Sequence, residues 1–151
     1  MRTRPMRKIV NLSFALLGLC ILAFGLQSCG GDREAMNTSR EVIEAILRGD
    51  KPETDDIQWE SLFIEGDNIG KTYSQMTREF EKKEYRNYSL SKIATMFKMN
   101  GWTVDKIENW RINQSTKHAT TVAFDVPGAT IEVLMILKDG RKRIAGIKRK
   151  V

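Results

Sequence analysis

The sequence predicts an α+β protein in which N-terminal helices pack on one face of a curled antiparallel sheet. Apolar residues recur at helical spacing in the first half of the chain and alternate with polar residues in the second half. Pro-Gly and Asp-Gly pairs separate the alternating segments and are typical of hairpin turns. With 151 residues, 41% apolar and 29% charged, the chain is long enough for one or two domains and too apolar to be disordered.

The first 28 residues have the order of a secretory signal. They contain Arg2, Arg4, Arg7 and Lys8 and no acidic residue, and residues 9–26 carry no charge. An apolar run of this length is at the low edge for a transmembrane helix, so an uncleaved anchor is one alternative. An ordinary secretory signal with an incidental cysteine is the other.

The end of the apolar run, Leu26-Gln27-Ser28-Cys29, resembles the lipobox of bacterial lipoprotein precursors. The resemblance implies cleavage between Ser28 and Cys29, diacylglycerol on the Cys29 thiol and an acyl group such as palmitate on the new amine. It places the protein in the bacterial cell envelope, anchored to a membrane through its N-terminal lipid. Gly30 slightly favours the outer membrane over the inner membrane, because retained lipoproteins usually have aspartate there.

This interpretation determines what the mature chain contains. Cys20 leaves with the signal peptide and Cys29 is capped by lipid, so thiol catalysis is excluded. Residues 29–151 then carry 21 basic and 19 acidic residues, a net charge of +2, which gives no reason to expect nucleic acid as a partner. Residues 29–38 contain two glycines and no apolar period, which predicts a flexible lipidated tether before a single domain over residues 39–151.

Two helices are predicted directly after the tether. Residues 38–41 fit a capping box, and the apolar stripe that follows ends at Gly49. A shorter helix is predicted over 55–64. Its inward residues are Trp59, Leu62 and Phe63.

Two further helices are predicted before the sheet. The third has Ile69, Tyr73, Met76 and Phe80 on one face. The fourth begins at Ser89 or Ser91 and ends at Asn100-Gly101.

Strands are predicted from Trp102 onward. Residues 118–126 alternate, with His118, Val122 and Phe124 on one face and Asp125 on the other. Residues 126–129 fit a type II turn and residues 138–141 a type I′ hairpin. Apolar residues on both faces of 130–137, apart from Glu132, indicate a central strand, and 143–147 alternates again.

This order of elements over residues 38–150 resembles the nuclear transport factor two-like (cystatin-like) fold. In that fold, about three helices precede a bent sheet, and the resemblance implies a pocket between helices and sheet. Members that isomerise or dehydrate small apolar substrates place Asp with Tyr or His in the concavity. The resemblance therefore makes a candidate pocket of Tyr73, Trp102, Trp110, His118 and Asp125.

The residue types give little support to catalysis. His118 is the single histidine, so neither a histidine-cluster metal site nor any bound metal is expected, and no glycine-rich phosphate loop indicates a cofactor. His118 and Asp125 alternate onto opposite strand faces, which argues against an acid–base pair. We expect no catalytic site.

The C-terminal segment is the distinctive surface of the sequence. Residues 138–150 hold one acid and seven basic residues, whereas residues 29–137 have a net charge of −4. This candidate basic patch predicts either a solvated edge strand or contact with anionic lipid, anionic glycan or an acidic envelope protein. Its members are Lys138, Arg141, Lys142, Arg143, Lys148, Arg149 and Lys150.

Three functions are compatible with these observations. The first is a lipid-anchored envelope protein with a non-catalytic binding or accessory role. The second is a small apolar-ligand binder or isomerase-like enzyme that uses a helix–sheet cavity. The third is a module that docks on an anionic surface through the basic C-terminal hairpin.

Overall fold

A computed structural model describes residues 30–151, which contain three α-helices and a six-stranded mixed sheet. The fold is therefore α+β, as predicted, but the predicted all-antiparallel sheet is wrong, because one short strand runs parallel to its neighbour. Helix α1 occupies residues 30–48, α2 spans Ile69–Gln75 and α3 spans Glu79–Met99. The predicted signal peptide and the lipid site at Cys29 lie outside the described residues. Within residues 30–151, no helix combines the length and apolar character needed to cross a membrane.

The sheet is an open meander with an added hairpin at one edge, in the order β2-β1-β6-β5-β4-β3. Strands β3 to β6 pair antiparallel in sequence order, and β1 runs parallel to β6. The strands are β1 (Phe63–Ile64), β2 (Asp67–Asn68), β3 (Glu108–Ser115), β4 (Ala119–Val126), β5 (Ala129–Lys138) and β6 (Arg141–Lys150).

Both predicted turns of the meander are confirmed. Gly128 has φ +80° after Pro127, as the third residue of a type II turn requires. Asp139 and Gly140 have φ +50° and +76°, the two positive values of a type I′ turn, between β5 and β6. The strand registers of the two hairpins therefore follow from local turn chemistry.

The core fills the space between the helices and the inner face of the sheet. Val122, Phe124 and Val133 from the sheet and Ile93 and Phe97 from α3 are all essentially inaccessible to solvent. Phe97 packs against Phe124 with ring centroids 6.2 Å apart. Burying a large apolar side chain contributes about 2 kcal/mol each, so this layer supplies most of the driving force for folding.

Residues 30–38 are helical, so the predicted flexible tether over 29–38 is wrong for these residues. Ala35 and Ser39 are fully buried and lie four residues apart, in line with Val42 and Ile43 further along α1. Two small residues extend the inward stripe, and a pattern search for large apolar residues does not detect them. The capping box at 38–41 is consequently inside the helix.

The helix predicted over 55–64 is absent. Two short 3-10 helices, Thr54–Asp56 and Trp59–Ser61, precede β1 instead. Trp59 and Leu62 are buried as predicted, but Phe63 is 45% exposed. Pairing of β1 with β6 imposes strand alternation, which turns Ile64 into the core and Phe63 outward.

The third and fourth predicted helices are divided differently. Helix α2 ends at Gln75, and α3 continues through Ser89 without a break. Ser89 does not cap a helix, because its hydroxyl donates to the Tyr85 carbonyl at 2.8 Å, one turn earlier. Phe80 was predicted to face the core but is 72% exposed. The predicted end of the fourth helix at Asn100-Gly101 is confirmed, since α3 ends there.

Candidate functional site

The aromatic members of the candidate pocket pack against different aromatic neighbours within one hydrophobic core. Tyr73 packs against Trp59, with ring centroids 5.9 Å apart. Trp102 packs edge-on against Phe97, with ring centroids 5.5 Å apart. Trp110 lies 4.3 Å from Phe124, centroid to centroid. Trp102 also lines a surface depression between the ends of α1 and α3, and neither Tyr73 nor Trp110 lines that depression.

The polar members of the candidate pocket also lie apart. His118 is exposed in the turn before β4, so it is not on the apolar strand face where alternation placed it. Asp125 is on the outer face of the sheet, where its carboxylate lies 3.0 Å from Arg111 Nη2. Hydrogen bonds from Arg111, Thr130 and Asn109 lower the pKa of Asp125 to about 2. A carboxylate held in that state is a poor general base.

The candidate basic patch is divided between the two ends of β6. At its start, Arg141 pairs with Asp56 at 3.0 Å and Arg143 lies 3.7 Å from Asp139. Lys142 is buried, and its ammonium donates to the Thr116 carbonyl at 3.3 Å. Carboxylates therefore neutralise part of the charge that the sequence presented as one surface.

At the end of β6, two lysines converge on one carboxylate. Glu132 lies 3.2 Å from Lys148 Nζ and 2.6 Å from Lys150 Nζ, and it accepts from Asn113 at 3.1 Å. Burial raises the pKa of Glu132, but the hydrogen bonds from Lys150, Lys148 and Asn113 outweigh burial and lower the pKa below its ordinary value. Glu132 is thus an anion at neutral pH, although only 6% of its surface is exposed.

An apolar cleft lies on the outer face of the sheet beside this carboxylate. The register aligns Phe63, Gly146 and Leu134 in one row across β1, β6 and β5. Gly146 has no side chain, so a slot about 10 Å wide between backbones separates Phe63 from Leu134. Phe63 is 45% and Leu134 41% exposed, and the cleft has a volume of about 290 Å³.

The walls of this outer-face cleft combine apolar and polar groups. Ala145 and Gly146 form the floor, and Thr121, Glu132 and Lys148 provide hydrogen-bonding groups at the edge. The volume is at the lower end of the range for small-ligand sites. The arrangement suits a small apolar group that carries one polar or charged end.

A second, more polar depression adjoins the cleft and shares Glu132 with it. It has a volume of about 610 Å³ and is lined by Arg111, Asn113, Asp125 and Lys150, among others. We name it the polar groove. Because its carboxylates are already paired with Arg111 and Lys150, it offers hydrogen-bond donors and acceptors without a large net charge.

The sequence carries a local signal for the cleft, although the predicted pocket did not include its residues. A glycine within the alternating segment of β6 indicates a bare point on the sheet, and Leu134 is an outward apolar residue of β5. The position of Phe63 was not predictable, because it depends on parallel pairing between residues 83 positions apart (Phe63 with Gly146).

Among residues 30–151, no group of three or more His, Cys, Asp or Glu side chains is arranged to hold a metal ion. Comparison with known proteins gives no match: neither a family model, nor a curated protein, nor a solved structure is similar to this chain.

Proposed function

We propose that this chain is a lipid-anchored cell-envelope protein whose α+β domain has a non-catalytic binding role. The lipobox at residues 26–29 supports the anchor, and the outer-face cleft supports the binding role. The helix–sheet order also supports a distant relation to the nuclear transport factor two-like fold. In this proposal the binding surface is the outer face of the sheet, because the inner face is packed against the helices.

The observation that carries the binding role is the exposure of Phe63 and Leu134 on either side of Gly146. Two large apolar side chains half open to water are unfavourable, and adjacent ones with a gap between them often mark a binding site. A ligand group inserted over Gly146 would shield the apolar surface of Phe63 and Leu134 from water. Glu132 and Lys148 lie where a polar end of the same ligand would be.

The anchor is tested by intact-mass measurement of the protein isolated from membranes of a bacterial host. We expect loss of residues 1–28 and a mass increase equal to diacylglycerol plus an acyl chain on Cys29. A Cys29→Ser chain is the matched control, which we expect to remain unprocessed and without lipid. An unmodified Cys29, or residues 1–28 still attached, contradicts the anchor.

The cleft is tested with an aliphatic or aromatic carboxylate probe and backbone NMR. We expect the largest chemical-shift changes at Phe63, Gly146 and Leu134, across the full width of the slot. Gly146→Val fills the slot and should weaken probe binding by about tenfold, roughly the effect of losing a well-packed apolar contact.

The control is Leu137→Asn. Leu137 lies in β5, the strand of Leu134, and is similarly exposed (39%), but it does not line the cleft. We expect this variant to bind the probe like the unchanged protein. Equal probe affinity of the Gly146→Val variant and the unchanged protein contradicts the assignment of the site.

A further inference from the structure

Two hairpin turns lie side by side at one end of the sheet. The Leu137 amide donates to the His118 carbonyl at 2.7 Å, and the Lys142 ammonium donates to the Thr116 carbonyl at 3.3 Å. These contacts join the β3–β4 turn to the β5–β6 turn. We name residues 116–118 and 137–142 the tip surface.

The tip surface is basic and partly apolar. It contains Lys117, Lys138, Arg141 and Lys142 and one acid, Asp139. Asp56 pairs with Arg141 and Lys142 is buried, so Lys117 and Lys138 carry most of its exposed positive charge. Lys117 and Lys138 are exposed and form no ion pair within the part of the chain that the structure describes. Leu137 precedes Lys138 in the chain and is 39% exposed. Exposed cations and an exposed leucine at one end of the sheet fit the interface of an anionic bilayer.

The chain enters the domain at the same end. Asp32, near the start of the described part of α1, accepts a hydrogen bond from the Ser115 hydroxyl, directly before the β3–β4 turn. Asp32 is three positions after Cys29, and that length of chain spans at most about 11 Å. A lipid on Cys29 would therefore keep Ser115 and the turn after it within a short distance of the headgroups.

The other end of β6 lacks this combination. Lys148 and Lys150 both pair with Glu132, and a strand of ten residues places Lys150 about 30 Å from Arg141. The seven basic residues of 138–150 therefore do not act as one patch. Charge and chain entry coincide at the tip surface alone among the residues described.

We infer that the tip surface docks on the anionic headgroups of the membrane that carries the lipid of Cys29. This inference rests on the proposed lipid anchor and adds an orientation to it. Docking holds the domain in a fixed pose, with Lys117 and Lys138 against lipid phosphates. Lys148 and Lys150 stay in water.

The test is a lysine footprint of the full processed protein, so it needs no variant that could fail to fold. The protein is reconstituted in vesicles containing phosphatidylglycerol and, separately, in vesicles of phosphatidylcholine alone. A water-soluble acetylating reagent then modifies accessible lysines, and mass spectrometry gives the rate at each position. Lys148 and Lys150 serve as internal controls.

We expect Lys117 and Lys138 to react about fivefold more slowly on the anionic vesicles, since each basic residue gains a roughly fivefold preference for such a surface. High salt should remove the difference, because the screening length falls to about 3 Å at 1 M. Lys148 and Lys150 should react equally on both vesicles.

Two negative results are distinguishable. A lipidated protein whose Lys117 and Lys138 react at the same rate on both vesicles overturns the inference and leaves the anchor intact. An intact mass that shows an unmodified Cys29 overturns the anchor and the inference with it.

Discussion

Asp125 accepts hydrogen bonds from three side chains on the outer face of the sheet, and these set its protonation. Arg111, Thr130 and Asn109 lower its pKa to about 2 from an ordinary value of 3.8. Because the folded pKa is depressed, the stabilisation by the ionised carboxylate is present above about pH 4 and is lost as the pH falls through about 2.

We therefore expect Asp125→Asn to lower the melting temperature at neutral pH. The difference from the unchanged protein should shrink between about pH 4 and pH 2, where the carboxylate itself becomes protonated. Thermal unfolding at a series of pH values measures this. Asp55→Asn, at an exposed position in the first 3-10 helix, is the control. A difference that stays constant down to pH 2 contradicts the assignment.

Glu132 is the buried anion between Lys148 and Lys150. Glu132→Gln keeps the shape of the side chain but removes the charge that both ammonium groups contact. We expect a loss of about 1–2 kcal/mol in the free energy of unfolding, the range for charge-assisted hydrogen bonds to partly exposed partners. Urea denaturation measures it. Lys148→Gln should cost less, because Lys150 still neutralises Glu132, and equal effects would contradict this ranking.

At the scale of elements, α2 packs unusually close to the second 3-10 helix. The Gly70 amide donates to the Leu62 carbonyl at 3.0 Å, and a Cβ atom at Gly70 would overlap the Glu60 carbonyl. The backbone could not move away without breaking that hydrogen bond. Gly70 is therefore required by close approach rather than by an unusual φ angle.

Gly70→Ala should consequently destabilise the protein by about 3 kcal/mol, the upper range for overpacking. Gly146→Ala is the matched control, because its added methyl group would meet Leu134 Cβ at an ordinary 3.4 Å. We expect that change to be neutral or slightly stabilising. Urea denaturation of the two variants compares them, and similar midpoints would show that α2 is not packed as described.

Elements whose signals are local were predictable from the sequence. The β4–β5 and β5–β6 hairpins follow from Pro127-Gly128 and Asp139-Gly140, whose turn chemistry fixes the strand ends. The end of α3 at Asn100-Gly101 was equally local. Elements that depend on distant partners were not predictable. β1 exists because it pairs with β6, and the same residues read in isolation favour a helix.

The candidate site illustrates the same limit. Alternation correctly placed Asp125 on the face opposite the core, but its partner Arg111 comes from the neighbouring strand, across a register shift in β3. The basic residues of β6 were visible in the sequence. Their pairing with the carboxylates of Asp56 and Glu132 was not predicted. Charge counts along a chain do not show which charges the fold pairs.

At the scale of the whole molecule, the core stabilises the domain, and two outer surfaces hold the exposed apolar groups. The helices and the inner sheet face use their apolar residues for stability, with Phe97 and Phe124 at the centre. Exposed apolar groups remain on the outer face at Phe63 and Leu134 and at the tip surface at Leu137. The proposed binding and the proposed membrane contact can therefore be altered separately by surface substitutions.

The extent of the domain gives the last prediction. Ala35 is fully buried and Asp32 contacts Ser115, so residues 32–38 belong to the folded unit that continues to Val151. A chain that begins at Ser39 should be less stable than one that begins at Asp32 by about 2 kcal/mol. This difference is the free energy gained by burying the Ala35 methyl group and part of the Met36 side chain beside it. Urea denaturation compares the two chains.

Point variants of the longer chain test the same packing. Ala35→Asp should destabilise it more than the truncation does, because it buries a carboxylate, whereas Glu34→Asp at an exposed position should have no such effect. Identical midpoints for the two chain lengths would mean that residues 32–38 behave as a tether after all.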